Sequence, residues 1–277
     1  MTLSLRSTAF GLAACFCVVA GASPASAEPA PDAAHVAIVP AGAVSVDDVE
    51  SARADLQPGL LLSPIEESAV GAIDLDGGVI VVPEQPEDGV VLSSPTGETV
   101  TVDLPAAERM DSAHELSDGT VVYPAEDFAS SVAVTASGLQ MTTTIADADA
   151  PTRFDYDLQL GEGQRLERAG RGAVVLDERG EVVVAIGEPW AKDASGADVP
   201  TWYEVSGSTL VQVVDHTAPG VSYPVVADPI WLAPWIVRCL IGIGLNGAQI
   251  AQIASKGSPL AIWAAFGWAA VRCVMGR

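Results

Sequence analysis

Apolar and polar residues alternate in short runs through the middle of the chain. In the segment 154–160 the even positions are apolar (Phe, Tyr, Leu, Leu) and the odd positions are polar (Asp, Asp, Gln). This period of two is typical of an antiparallel strand that buries one face. Comparable β-type runs occur at 78–82, 90–92, 99–102, 120–123, 131–135, 139–145, 173–176, 182–186, 201–205 and 209–214. The pattern predicts about ten short strands.

Turn signals separate these runs. Ser94-Pro95-Thr96-Gly97 lies between two of them, Asp177-Glu178-Arg179-Gly180 joins a second pair, and Ser206-Gly207 joins the last pair. Glycine at such corners accepts the positive φ that tight turns need. Many short strands with frequent turns predict a mainly β fold over residues 71–229, either an antiparallel β-sandwich or an open barrel.

The hydrophobic period changes after Pro229 and Pro234. At about 100° per residue, the polar side chains between residues 236 and 256 fall within roughly 120° of a helical wheel, and the other positions are apolar. These polar residues are Arg238, Asn246, Gln249, Gln252 and Lys256. The spacing predicts an amphipathic helix with a narrow polar stripe over residues 236–254.

A second helix is expected after a break in the sequence. Gly257 suits a helix end, Ser258 suits a cap and Pro259 suits the first turn of a new helix. The residues that follow are apolar up to Arg272. This helix would be about 24 Å long, which is short for a bilayer core of about 30 Å. Residues 230–277 are therefore predicted to form a helical hairpin.

The cysteine positions fit that hairpin. Cys239 lies 17 residues before Lys256, and Cys273 lies 17 residues after it. In an antiparallel pair of helices the two thiols would be level, so the spacing predicts a disulfide across the open end. Closing a loop of about 34 residues stabilises a fold by roughly 3–4 kcal/mol in the chain-entropy model. Two free buried thiols are the alternative.

Charge separates the same two regions. The chain has 13 Lys and Arg against 36 Asp and Glu, a net charge of −23. No acidic residue follows Asp228, so the tail carries +4 and the rest of the chain carries −27. A chain this acidic lacks the clustered cations that bind phosphates, which argues against a nucleic-acid partner.

The N-terminus has the pattern of an export signal. Arg6 precedes an apolar run that ends in Ala25-Ser26-Ala27, so residues 1–27 are predicted to be a signal peptide cleaved after Ala27. The alternative is a lipoprotein in which Cys15, after Leu-Ala-Ala, is lipidated. Residues 28–70 are an acidic, Ala/Pro-rich leader. We expect this leader to be loosely ordered, with a short strand at 35–39 or a helix near 46–55.

Signals for catalysis are weak. The sequence contains no Gly-x-Ser-x-Gly elbow, no His-Glu-x-x-His pair and no phosphate-binding glycine loop. We interpret His216 as a surface residue at a strand end, and Trp190 and Trp202 as sandwich core. The acidic turns 74–78 and 147–149 are interpreted as solvated charge, with Ca²⁺ binding left open. We therefore expect no enzyme, cofactor or metal site, although a hydrolase with dispersed carboxylates stays open.

One segment carries a family resemblance. Residues 221–231 read Val-Ser-Tyr-Pro-Val-Val-Ala-Asp-Pro-Ile-Trp and follow a strand pair and Asp215-His216. Over roughly residues 110–235 the chain resembles secreted actinobacterial proteins with a β-rich region and a hydrophobic, Cys-containing C-terminus. Ile230 differs from the Thr expected at that position. The resemblance implies export and this architecture, and it implies no activity.

The C-terminal region also holds four of the six tryptophans. Trp beside cationic side chains is typical of a membrane interface. The predicted contact residues are Arg238, Lys256, Arg272, Trp231, Trp235, Trp263 and Trp268. We expect an exported, bacteriocin-like protein whose acidic β domain carries a cationic hairpin that acts on an anionic membrane or an envelope protein. In the alternative, the protein is a secreted binding module and the hairpin, docked on the sheet, is only structural. No pattern predicts the target or the oligomeric state.

Overall fold

The computed structural model describes residues 44–56, 64–65, 70–75, 77–256 and 258–275. The predicted signal peptide, Cys15 and the strand at 35–39 lie outside the described residues. The helix expected in the leader is confirmed as α1, Val46–Leu56. Its first turn is capped reciprocally, because Asp48 N–H donates to Ser45 Oγ and Ser45 N–H donates to an Asp48 carboxylate oxygen, each at 3.2 Å.

Seventeen strands can be assigned within the described residues. The first nine are β1 (Gly71–Leu75), β2 (Gly78–Val82), β3 (Val90–Ser93), β4 (Thr99–Val102), β5 (His114–Glu115), β6 (Val121–Pro124), β7 (Phe128–Thr135), β8 (Gly138–Ile145) and β9 (Arg153–Leu160). The others are β10 (Arg165–Ala169), β11 (Gly172–Leu176), β12 (Val182–Ile186), β13 (Trp190–Lys192), β14 (Thr201–Ser206), β15 (Thr209–Val214), β16 (Val225–Asp228) and β17 (Ile230–Leu232).

These strands form two antiparallel sheets. The seven-stranded sheet has the order β1-β2-β3-β4-β9-β15-β14. The ten-stranded sheet has the order β10-β11-β12-β17-β8-β7-β6-β5, and β16 lies between β8 and β13. The sheets are not closed into a barrel, so the mainly β prediction is confirmed in its sandwich-like form.

The main core lies between the sheets. In β9 the alternation predicted from sequence is observed, with Phe154, Tyr156 and Leu158 buried and the residues between them exposed. The prediction that Trp202 belongs to the sandwich core is wrong, because its side chain is 44% exposed and its neighbour Tyr203 takes the inward position on β14. Trp190 is half-buried against Ala52 and Val226, outside the main core.

Three helices follow the last strand. They are α2 (Pro234–Gly242), α3 (Gly247–Ala254) and α4 (Pro259–Val274). The single helix predicted over 236–254 is therefore wrong. Gly244 takes a φ of 92°, and Asn246 begins a new helix through a capping box with Gln249. The predicted polar stripe is thus divided between two helices, whereas Ser258 caps α4 as expected.

α2 and α3 pack on the outer face of the ten-stranded sheet, and α4 packs mainly on α2. Val174, Ala185 and Leu232, from three neighbouring strands, form a second hydrophobic cluster with the helices. The helical members include Ile236, Val237, Leu240, Ile250, Ile253, Ile262, Val271 and Val274. We call residues 234–275 the helical segment. Its inner face is therefore ordinary protein core.

Glycines in the sheet allow the close approach of α3. A Cβ at Gly172 would lie 2.3 Å from the Ile186 oxygen and 3.1 Å from the Ala251 Cβ, and a Cβ at Gly187 would lie 3.1 Å from the Ala254 Cβ. Small residues on both surfaces thus bring the α3 backbone near the sheet.

The disulfide prediction is confirmed. Cys239 of α2 and Cys273 of α4 are bonded, with their Cα atoms 5.6 Å apart. The bond joins the first and last helices of the segment, and so closes it at its open end.

Candidate membrane and partner surface

The outer surface of α4 is apolar. Leu260 is 70% exposed, Trp263 54% and Trp268 65%. From Pro259 to Val271 the sequence contains no charged side chain, so whichever side of α4 faces outward is necessarily apolar. We call Leu260, Trp263 and Trp268 the α4 face. Several large exposed apolar side chains on one helix are typical of contact surfaces.

A bend divides this surface. Gly267 has a φ of 81° and a ψ of 175° inside α4, a conformation that favours glycine. Trp263 precedes the bend and Trp268 follows it. The two indoles therefore lie on differently oriented turns of the helix.

The end of α2 adds two further exposed apolar residues, Ile241 in its last turn and Ile243 just after it. Sequence reasoning missed both of them, and it also missed Leu260. The signal that could have identified Leu260 is the uninterrupted apolar composition of α4, since a helix without polar positions has no side suited to water.

The predicted cations occupy different environments. Arg238 is exposed and forms an ion pair with Glu98, which lies in the β3–β4 turn. Burial alone would raise the Glu98 pKa, but hydrogen bonds from the Ser94 and Thr96 hydroxyls and from Arg238 lower it to about 2. Arg272 is exposed near the end of α4, and Lys256 is half-exposed after α3. Arg238 is thus already engaged within the protein.

Two of the four predicted tryptophan contacts are not freely exposed. Trp231 is fully buried between the sheets, where its ring meets Tyr156 edge-on at 6.1 Å. The structure therefore places it in the core rather than on the predicted surface, because it takes an inward position on β17. Trp235 is half-buried and lies over Gly77 and Gly78. Trp263 and Trp268 are the two that reach the surface.

The prediction that His216 is a surface residue is also wrong. It is fully buried, with Nδ1 2.9 Å from the Tyr223 hydroxyl and Nε2 3.0 Å from the Pro151 oxygen. These partners occupy both ring nitrogens, so His216 joins the loop that contains Tyr223 to the start of β9. The ring has a structural position and not the predicted surface one.

Carboxylates line one surface cavity of about 490 Å³. Its acidic residues are Glu87, Asp103, Glu108, Asp155 and Asp157. Within the described ranges no group of three or more His, Cys, Asp or Glu side chains is placed to hold a metal ion. The acidic turn at 147–149 is closed by Asp149 N–H, which donates to Asp147 Oδ1 at 2.8 Å.

The chain matches no protein-family model, no curated protein and no solved structure. Among the described helices, none combines the length and the apolar character needed to cross a membrane. The functional proposal therefore rests on the surface chemistry of the helical segment.

Proposed function

We propose that this protein is an exported, non-enzymatic protein that attaches to an anionic membrane surface through its α4 face. The observation that carries the proposal is the exposure of Leu260, Trp263 and Trp268 on a helix without charged residues over its first three turns. Export is proposed from the pattern of residues 1–27. The disulfide is compatible with an oxidising compartment.

The apolar contribution to binding is the larger one. Burying a side chain of this size contributes about 1.5–3 kcal/mol when it is fully exposed beforehand. Three side chains that are more than half exposed therefore supply a few kcal/mol together. Each nearby Lys or Arg adds about 1 kcal/mol at an anionic surface, and salt screens this term. Binding to anionic lipid should exceed binding to neutral lipid by a moderate factor.

The geometry supports attachment in the plane of the interface. The bend at Gly267 divides α4, and at about 1.5 Å per residue the eight residues before it span about 12 Å, less than the hydrocarbon core of a bilayer. A helix of this kind lies with its apolar side among the lipid headgroups and acyl chains. Its other side stays packed in the second hydrophobic cluster through Ile262, Val271 and Val274.

Charge orients the protein at such a surface. The helical segment contains Arg238, Lys256 and Arg272 and no acidic residue, whereas the chain as a whole carries −23. An anionic surface repels the acidic sandwich and attracts the helical segment. The α4 face is thereby the side that approaches the lipid.

Vesicle co-sedimentation tests the proposal. The full chain should bind phosphatidylglycerol vesicles more tightly than phosphatidylcholine vesicles. The double variant Trp263→Ala/Trp268→Ala should weaken partitioning about 10- to 100-fold. Trp202→Ala is the matched control, since Trp202 is an exposed tryptophan of the sandwich, and it should bind like the wild type. Absence of wild-type binding, or an equal loss in the control, would contradict the proposal.

A second candidate is a secreted or envelope-associated binding module in which the helical segment is only structural. The observation that favours it is the second hydrophobic cluster, which shows that the segment covers apolar sheet surface. Ile250→Ala should destabilise the protein by about 2–5 kcal/mol under either candidate. Under this one, the Trp263→Ala/Trp268→Ala variant should leave every binding property unchanged, so the vesicle assay separates the two candidates.

A further inference from the structure

A single peptide bond with distinctive chemistry separates β16 from β17. Asp228–Pro229 is the only Asp-Pro bond in the 277-residue sequence. Asp228 is 1% exposed, and its Oδ2 accepts a hydrogen bond from Gln140 Nε2 at 2.9 Å. A buried carboxyl is therefore fixed next to a proline.

Hydrogen bonds hold the backbone carbonyl oxygens of both Asp228 and Pro229. The backbone oxygen of Asp228 accepts a hydrogen bond from the Tyr203 hydroxyl at 3.3 Å, and the Pro229 oxygen accepts one from Met141 N–H at 3.0 Å. Tyr203 belongs to β14, so a donor from the opposite sheet reaches this carbonyl. A donor at that oxygen stabilises the negative charge that develops there when the carbonyl carbon is attacked.

Burial also keeps the carboxyl protonated. Removal from water raises the pKa of Asp228 to about 8, although the donors of Gln140 and Trp190 oppose the shift. Among the described residues, the titratable groups facing it are Tyr203 and Tyr156, and burial raises the pKa of each above its ordinary value. At neutral pH the three groups are thus largely uncharged. The carboxyl carries the proton that a departing amine requires.

We propose that the protein cleaves its own Asp228–Pro229 bond, with the Asp228 carboxyl as the nucleophile. One carboxyl oxygen attacks the backbone carbonyl carbon of the same residue and forms a five-membered cyclic anhydride. The bond from that carbon to the Pro229 nitrogen breaks, and the carboxyl proton passes to this nitrogen. One water molecule then opens the anhydride to two carboxyl groups. The net reaction is hydrolysis of one peptide bond.

Proximity and the leaving group favour this bond over others. The nucleophile and the carbonyl carbon belong to one residue, so attack does not cost the entropy of bringing two reactants together. The proline nitrogen is part of a tertiary amide and has no N–H. It departs as a basic secondary amine once it has received the proton.

The cleaved protein would stay assembled. β17 begins one residue after the cut and pairs with both β8 and β12, and Trp231 remains buried in the core. Cys239 and Cys273 both lie beyond the cut, so the disulfide does not link the two fragments. Denaturation without reductant would therefore separate them.

Intact-mass spectrometry tests the cleavage. The folded, oxidised full chain is incubated at neutral pH and physiological temperature, then unfolded and weighed over time. We expect a fragment that ends at Asp228 and one that begins at Pro229, with masses that sum to the chain plus one water. A chain that stays intact, or is cut elsewhere, would overturn the proposal.

Variants separate this mechanism from proteolysis by a contaminant. Asp228→Asn should not be cleaved, because it has no carboxyl. Asp228→Glu keeps a carboxyl but must close a larger ring, so most of the cleavage should be lost in this variant too. Tyr203→Phe should slow cleavage about 10- to 100-fold. This effect is smaller than that of removing a short hydrogen bond to the oxyanion, because the bond from Tyr203 to the Asp228 oxygen is long. Near-UV circular dichroism verifies that each variant is folded. Cleavage of folded Asp228→Asn at the wild-type rate would overturn the proposal.

Two conditions test the role of the fold. Wild-type chain unfolded in urea should not be cleaved, because its carboxyl is then solvated and ionised at neutral pH. In the folded protein, the rate should fall as pH rises through the Asp228 pKa of about 8. Equal rates in urea, or a rate that increases with pH, would contradict the mechanism. No lipid is present in these assays, so their outcome is independent of the membrane proposal.

Discussion

The sandwich and the helical segment differ in where their apolar side chains lie. Six large hydrophobic side chains are exposed among the described residues, and only Trp202 belongs to the sandwich. The other five lie between residues 241 and 268 of the helical segment. The inner face of that segment already supplies the cluster that attaches it to the sheet. The buried side chains stabilise the fold. The exposed ones are available to contact a membrane or a partner.

The largest expected effect concerns Asp228, at the boundary between the two regions. Burial raises its pKa from 3.8 to about 8, so the folded state binds this proton more tightly than the unfolded state. The resulting stabilisation is complete below about pH 4 and is lost as pH rises toward 8, by roughly 4–6 kcal/mol in total. Urea unfolding of freshly prepared protein across this range measures it. Asp228→Asn should lose this component, and an unchanged pH profile in that variant would show that the carboxyl is not buried.

A pair of tryptophan substitutions tests the contrast between buried and exposed side chains. Trp231→Ala should destabilise the protein by about 3–5 kcal/mol, because it opens a cavity between the sheets. Trp268→Ala should change the free energy of unfolding by less than about 0.5 kcal/mol, since most of the ring is in solvent. Chemical denaturation measures both. Similar losses in the two variants would mean that Trp268 is also a core residue.

Removal of the disulfide tests how far the helical segment is independent. Cys239→Ser/Cys273→Ser should lower the free energy of unfolding by about 3 kcal/mol, because the cross-link no longer restricts the unfolded chain. Hydrogen exchange locates the effect. We expect faster exchange at α2 and α4 amides and little change at β8. Equally faster exchange at β8 would show that both regions unfold together.

Much of the sheet structure could be predicted from local pattern. Strands such as β9 alternate clearly, and Gly-containing turns mark their ends. β16 and β17 were harder to predict, because Asp228 and Pro229 interrupt what is a nearly continuous central strand. Proline is disfavoured in such a strand. β10 was missed because Arg165, Glu167 and Arg168 give it the composition of a loop. Pairing with β8, which is distant in sequence, decides the first case, and a local hairpin with β11 decides the second.

The surface was less predictable than the fold. The cysteine spacing predicted the disulfide, but sequence periodicity could not show that Gly244 and Asn246 would end one helix and begin another. The burial of Trp231 depends on β17 lying between β12 and β8, which is a long-range pairing. The sequence does contain one signal for Asp228, its Asp-Pro bond, but only the fold shows that its carboxyl is excluded from water.

The contact between Trp235 and the β1–β2 turn links the two regions mechanically. A Cβ added at Gly77 would lie 2.3 Å from the indole, and one at Gly78 would lie 2.6 Å from it, so a hydrogen is the largest substituent that either position accepts. Trp235 packs against both hydrophobic clusters. A sideways pull on α2 would therefore be transmitted through this ring to the seven-stranded sheet, and the Cys239–Cys273 disulfide couples α4 to α2. The helices and the sandwich should consequently move as one rigid body.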